Sequence, residues 1–278
     1  MSERNTPTFG NPPVVDTVLG VQFEPLAGMH IVHYGLFWQL IRDRFPEVQE
    51  QVALEPESER FDDGGERSEF RWKLMERPEL PRAWFLSEAA VDGQQLVQLQ
   101  QDRLLLNWRR DDPATQRYPS FDEKNRPAFE NVLRMLVRLA EEQGLGTVTA
   151  NQCEVTYINH IMIDPDCSTP AEMFARCFPR LAATPSDQFL PQSPERASWS
   201  CSYRIPENRG RLHVAVRTAR LVKTGQYCLD LRLTARAAPT DGTIERVLEC
   251  LDLGHDWVVN GFKSFTMPEM HRVWELQT

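Results

Sequence analysis

Gln152-Cys153-Glu154-Val155-Thr156-Tyr157-Ile158-Asn159-His160 decides the fold. The stretch runs on to Ile163 and is rich in the β-branched and aromatic residues that fit a pleated surface. Apolar and polar side chains mix on both of its faces, which suits a central strand with neighbours on either side. The predicted elements before it and after it follow the same order. It is therefore the place where a first unit ends and a second begins.

Upstream, Val15, Thr17, Leu19, Val21 and Phe23 alternate with Asp16, Gly20 and Gln22, the period of a half-buried strand over 14–23. Pro25 and Gly28 break it. Tyr34, Phe37, Trp38, Ile41, Phe45 and Val48 then recur at helical spacing, with Pro46 as a stop or bend. Residues 50–66 are acidic and polar, with Asp62-Asp63-Gly64-Gly65 as turn chemistry, and read as a surface loop. Short strands are expected over 70–74, 83–88, 96–100 and 103–109, with Asp92-Gly93 as a hairpin turn. After the polar, proline-rich 111–127, a second helix turns Phe129, Val132, Leu133, Leu136 and Ala140 inward, and Gly144 is its C-cap.

Downstream the order restarts. Thr169-Pro170-Ala171-Glu172 is a capping box with proline at the first helical position, and its helix buries Met173, Phe174, Cys177 and Leu181. A proline-rich loop covers 184–195. Strands follow over 198–205, 211–220 and 226–237, with Asn208-Arg209-Gly210 and Thr224-Gly225 as turns. A long helix from Thr243 keeps Ile244, Val247, Leu248, Leu251, His255, Val258, Val259 and Phe262 in register.

Each half thus reads strand, helix, three or four antiparallel strands, helix. The expected fold is α+β: one curved antiparallel sheet with four main helices on one face. The expected units are a polar N-terminal tail (1–13), a first half (14–145) and a second half (146–278). The two halves form one structural unit, related by a pseudo-two-fold. That element order resembles the duplicated saddle of TATA-binding proteins and, less closely, the helix-grip fold.

With 278 residues, 41% hydrophobic and 26% charged, the chain can bury a substantial core. The net charge of −9 disfavours nucleic acid and anionic membranes unless charge is segregated. The polar start, Met1 to Pro7, is no secretory signal, and no apolar run approaches the roughly 18 residues of a membrane span. The six cysteines lie in the second half without a C-x-x-C pair and read as reduced thiols. A cytoplasmic location, away from membranes, is the expectation.

Charge is indeed segregated. Between 196 and 236 there are nine Lys or Arg against Glu207 and Asp230, so this segment carries +7 and the rest of the chain −16. Strand alternation turns Trp199, Cys201, Tyr203, Ile205, Leu212, Val214, Val216, Tyr227, Leu229, Leu231 and Leu233 to the core. Ser200, Ser202, Arg204, Arg211, His213, Arg217, Asp230, Arg232, Thr234 and Arg236 face away. Arg204, Arg211, His213, Arg217, Arg232 and Arg236 are accordingly the candidate ligand-binding residues. Guanidinium forks on one sheet face suit an anionic ligand, a nucleic acid or an acidic protein segment. Acids of the loop at 55–66, or of the C-terminal helix, would instead neutralise the patch within the chain. Gln98, Gln100, Asn107, Arg109 and Arg110 would extend the polar face, with Trp108 packed inward.

Catalytic signals are thin. Glu154 and His160 would face the concavity with Thr156 and are the only acid/base candidates. The alternative is a hydrogen-bond network at the axis between the halves. His255 falls on the apolar stripe of its helix and reads as a core histidine. His30 and His33 lack a third metal ligand. Phosphate-loop, G-x-S-x-G and H-E-x-x-H motifs are absent, and no cofactor or metal is expected.

Residues 14–23, Cys153 to Ile161, and His255-Asp256-Trp257 through Phe262 with His271 and Trp274 together resemble a sporadically distributed, uncharacterised bacterial family of about this length. The resemblance spans almost the whole chain and implies an accessory role, such as a component of a mobile or phage-defence locus. It implies no activity. The expected function is a binding or adaptor protein that holds an anionic partner. The alternative is a hydrolase-like enzyme using Glu154 and His160.

Overall fold

The computed structural model describes residues 6–277 apart from 60, 62–79, 91–92, 113–114, 163–166, 168, 180, 182–188, 190–193 and 195. The first half holds β1 (Thr8–Phe9), β2 (Val14–Phe23), α1 (Ile31–Ile41), β3 (Glu47–Gln51), β4 (Arg82–Leu86), β5 (Gln94–Gln100), β6 (Arg103–Arg109) and α2 (Arg126–Gln143). The second holds β7 (Ala150–Met162), α3 (Pro170–Cys177), β8 (Ser198–Ile205), β9 (Gly210–Arg220), β10 (Tyr227–Ala237), α4 (Ile244–Phe265), α5 (Pro268–Val273) and β11 (Leu276–Gln277). A π-helical turn over Phe121–Asn125 leads into α2.

Nine strands form one sheet in the order β3-β4-β5-β6-β2-β7-β10-β9-β8, and every pairing is antiparallel. As expected, β7 is central, paired with β2 on one side and β10 on the other. A second sheet of two strands joins β1 to β11. The fold class is therefore α+β around a large antiparallel sheet, with five helices among the described residues. None of these helices is long and apolar enough to cross a membrane.

The helices cover one face. Helix α4 packs on β7, β10 and β9, α3 on β10 and β9, and α2 on β6. Phe37 of α1 packs against Phe85 of β4, the rings tilted with centroids 5.8 Å apart. Between them the core closes over Leu19, Val21, Leu104, Trp108, Val155, Leu231 and Leu233, with Phe129, Leu133, Leu136, Leu251 and Val258 opposite. Local chemistry fixes the helix ends. Gly144 caps α2 at φ 64°, where a side chain is disfavoured. The Thr169 hydroxyl accepts from Glu172 N, and Thr243 from Arg246 N.

Several local expectations are corrected. Val48 does not continue the α1 stripe: the helix stops at Ile41, the chain turns at Phe45, and Val48 is exposed on edge strand β3. Val15 is an extra residue between Val14 and Asp16 in the ladder with β7, so Val14 takes the buried position. Tyr203 and Tyr227 lie half-exposed, at the edge strand and at a strand end, with Phe265 and Arg220 as their ring partners. The turn expected at Asn208 centres one residue earlier, where Glu207 and Asn208 adopt positive φ. In the tail, Phe9 packs edge-on against Phe262 at 5.3 Å, which explains why β1 forms in a polar segment. The strand expected over 70–74, Asp92, the turn at 62–65 and most of the loop at 184–195 lie outside the described residues.

Candidate functional site

The face that the helices leave uncovered carries the charge. One row of cross-strand partners runs over Gln49, Trp84, Gln98, Leu105, Gly20, Glu154, Arg236, Arg211 and Arg204, from β3 to β8. A neighbouring row runs over Gln100, Arg103, Gln22 and Gln152, from β5 to β7. Side chains of one row stand about 4.8 Å apart, the spacing of strands in a sheet.

Across these rows lies the acidic segment that follows β3. Glu59 presents one carboxylate oxygen to Arg211 Nη1 at 2.5 Å and the other to His213 Nε2 at 2.6 Å. His213 Nδ1 is in turn 2.8 Å from the Ser202 hydroxyl. Glu57 pairs with Arg236, whose Nε also donates to Glu154 at 2.7 Å. The ring of Phe61 lies under the guanidiniums of Arg211 (4.6 Å) and Arg204 (5.6 Å). Burial alone would raise the Glu59 carboxyl, but the hydrogen bonds and charges of His213 and Arg211 outweigh it and hold it below its ordinary value. Glu57 and Glu59 of the loop thus neutralise part of the patch within the chain.

The six predicted ligand-binding residues share a face but not a site. Arg204, Arg211, His213 and Arg236 gather at one end around Glu57, Glu59 and Phe61. Arg232 is four residues from Arg236 along β10, about 13 Å away, and Arg217 pairs with Asp230 at 2.9 Å. Arg232 is exposed and has no ion pair among the described residues. Glu154 and His160 are six positions apart on β7, about 20 Å, so they cannot act together on one atom. Glu154 belongs with Arg236, whereas His160 stands opposite Asp230 in the ladder. Burial lowers His160; Asp230 opposes that shift and Arg232 adds to it.

The first half contributes differently from expectation. Gln98, Gln100 and Asn107 are buried; Gln98 and Asn107 bond each other, and Gln100 bonds Leu54 of the covering segment. Trp84 Nε1 donates to Gln98 (2.9 Å), Gln98 to Asn107 (2.6 Å), and Asn107 to Asp16 (3.2 Å). Arg109 lies 3.7 Å from Asp16. Arg110 points to the other face, buried, and donates to the backbone carbonyls of Pro12, Val14 and Gln116. Burial raises the Asp16 carboxyl from 3.8 to about 6, against the lowering pull of Asn107, Arg109 and Arg232. Asp16 follows the Val15 bulge, and a bulge re-aims the side chain beside it.

Two cavities matter. One of about 360 Å³ lies on the helix side, between the N-terminal segment and α4, walled by Phe9, Val14, Phe121, Val259 and Phe262. There His255 stacks on Phe121 at 3.9 Å, and its Nδ1 is 3.0 Å from the Tyr157 hydroxyl, which also meets Tyr118. His255 is the satisfied core histidine its stripe position predicted. The other cavity, about 190 Å³, lies beneath the acidic segment and is lined by Gly20, Leu105, Glu154, Arg236 and Gln152. Among the described residues, His, Cys, Asp and Glu form no cluster that could hold a metal ion.

Sequence reasoning missed Gln22, Gln152, Arg103 and Asp16 as members of this face. A visible signal existed: a glutamine falls within two residues of the end of β2, β5 and β7, where apolar or turn residues would serve a purely structural strand. Comparison with protein-family models, curated proteins and solved structures yields no match.

Proposed function

We propose that this protein is a non-catalytic binding or adaptor protein whose uncovered sheet face holds an anionic partner through Arg204, Arg211, His213 and Arg236. The observation that carries this reading is the pair of contacts made by Glu59. A carboxylate sits between a guanidinium and an imidazole that are fixed by sheet register and by Ser202, which is a preorganised anion site with an anion in it. Arg232, on the same face, has no ion pair among the described residues. Separation of Glu154 from His160 removes the acid/base pair that an enzyme reading requires. We propose also that residues 14–145 and 146–278 are related units. Outward from the β2–β7 junction, the first half runs β2-β6-β5-β4-β3 and the second β7-β10-β9-β8: each opening strand pairs with the last strand after the helix and the order then runs backwards, the first half having one strand more.

The test is a titration with fluorescein-labelled hexaglutamate and with a labelled ten-residue deoxythymidine oligonucleotide. The wild-type chain and an Arg204→Ala, Arg211→Ala variant are compared at low and physiological salt. Binding of at least one probe should weaken with salt and fall at least fivefold in the variant. Salt-independent binding, or equal affinity in both proteins, rules the reading out.

A further inference from the structure

We infer that the partner is an extended acidic polypeptide segment, recognised through its main chain, and that residues 54–59 occupy its place within the chain. The inference rests on the anion-binding reading above and adds the chemical class of partner. Gln100 accepts from Leu54 N and donates to Leu54 O, both at 2.8 Å. Gln22 does the same for Glu57, at 3.1 and 3.0 Å. Gln152 accepts from Glu59 N (3.0 Å) and donates to Glu57 O (2.9 Å). Arg103 donates to Glu55 O at 2.9 Å.

A side-chain amide carries one acceptor and a donor, as a peptide group does. Three glutamines on adjacent or nearby strands therefore present to a crossing chain what the edge of a sheet presents to a new strand. None of these seven bonds involves a side chain of the segment they hold. They read an extended main chain of any sequence. Specificity comes from the two carboxylates, two residues apart and so on one side of an extended chain, about 7 Å from each other. A nucleic acid backbone offers phosphate acceptors to the arginines but no alternating N–H groups, and would leave the oxygens of Gln100 and Gln152 without the N–H groups of Leu54 and Glu59.

The internal occupant fits incompletely. A cavity of about 190 Å³ remains beneath it, lined by Leu105, Glu154 and Arg236. A partner with a side chain directed into that space gains contacts that residues 54–59 do not make. The internal segment holds the advantage of tethering, an effective concentration of the order of millimolar. A separate peptide must overcome that before it binds the wild-type chain.

The probe is a labelled, end-blocked peptide with the sequence of residues 52–61, with a counterpart carrying glutamine at both positions that match Glu57 and Glu59. Binding is measured to the wild-type chain and to a Glu57→Lys, Glu59→Lys variant, in which charge repulsion drives the internal segment from Arg211 and Arg236. The variant should bind the acidic peptide at least tenfold more tightly than wild type, and its glutamine counterpart at least tenfold more weakly. Adding Gln22→Leu and Gln152→Leu should weaken both peptides by the same factor. Should the lysine variant not fold, the isosteric Glu57→Gln, Glu59→Gln chain serves the same comparison. In wild type, hydrogen exchange at the amides of Leu54, Glu57 and Glu59 should speed up as peptide is added. The inference is overturned if the freed site binds both peptides alike or binds neither. The deoxythymidine oligonucleotide separates the two failures. If it binds where the peptides do not, the anion site stands and only the peptide assignment is lost. If nothing binds, both are lost.

Discussion

Replacing Asp16 by asparagine should stabilise the protein at neutral and alkaline pH. Asp16 sits on the uncovered face with 15% of its side chain exposed, accepts from Asn107, and meets Arg109 only at 3.7 Å. Its carboxyl rises from 3.8 to about 6, burial being the largest cause. A folded value above the unfolded one means that the folded protein holds the proton more tightly. The group's contribution is fully present below pH 3.8 and is lost as pH rises through 6. A shift of about two units corresponds to about 3 kcal/mol between those limits. Asparagine keeps the shape and the oxygen that Asn107 bonds to, and it carries no charge to bury. At pH 8 the variant should therefore gain about 2–3 kcal/mol, or roughly 5–10 °C in Tm for a chain of this size. Thermal melts of both proteins from pH 4 to pH 8 give the comparison, and the gain should shrink toward zero at the acid end. An asparagine variant that melts lower than wild type at pH 8, or a gain of the same size at every pH, refutes the argument.

Glu59 should behave with the opposite sign. Its lowered carboxyl contributes stability above pH 4.5, lost as pH falls through the folded value; exchange at the amides of 54–59 should rise on acidification, and Glu59→Gln should show the fast exchange already at pH 7. Gly210→Ala should cost about 1–3 kcal/mol in chemical denaturation, because a Cβ there would lie 2.2 Å from the backbone oxygen of Arg236. Gly35→Ala, on the exposed side of α1 with nothing within 4 Å, should instead stabilise by about 0.5–1 kcal/mol, and the two variants together check the helix and strand placements. Phe37→Ala should lose about 3–5 kcal/mol, since its ring is fully buried against Phe85.

The bounds expected for β2, β6 and β8 match the structure to the residue; in β2 and β8 alternation carries the reading, because a slip would turn the apolar side chains to the wrong face. The stripe of α2 and its glycine cap were equally legible, both being set by residues within one helix. Local patterning gave the wrong answer where a neighbour in space decides. Val48 keeps helical spacing with Phe45 but pairs with Phe85 in a ladder. Val15 fits the alternation, yet a bulge set by β7 removes it from the core face. Six arginine and histidine positions were read onto one face, and that face exists. Their division between Glu59 and Asp230 was beyond the sequence, because coil residues 54–59 have no periodicity and reach partners as distant as His213, 154 positions away. Charge counting offered acids of that loop, or of the C-terminal helix, only as the competing reading of the patch. It could not show that Gln22, Gln100 and Gln152 hold the loop by its backbone, since each glutamine alone is an ordinary polar residue on a strand.

The two faces of the sheet answer to different demands. On the helix side most buried residues are apolar; Tyr157 and His255 bond each other there, while the Tyr34 hydroxyl and the Asn125 amide have no hydrogen-bond partner among the described residues. That side accounts for the stability of the fold. On the uncovered side, Asp16 sits with its carboxyl raised, at a cost in stability that asparagine would avoid. Asp230 keeps one buried carboxylate oxygen with no hydrogen-bond partner among the described residues, and buried Gln100 and Gln152 spend their amides on a coil. A sheet selected for stability alone would place threonine, valine and exposed lysine at such positions. The raised carboxyl of Asp16, the half-satisfied Asp230 and the glutamines that hold a coil all lie on the face that the proposed function uses, and its charge-saturated end lies under a segment of the chain itself.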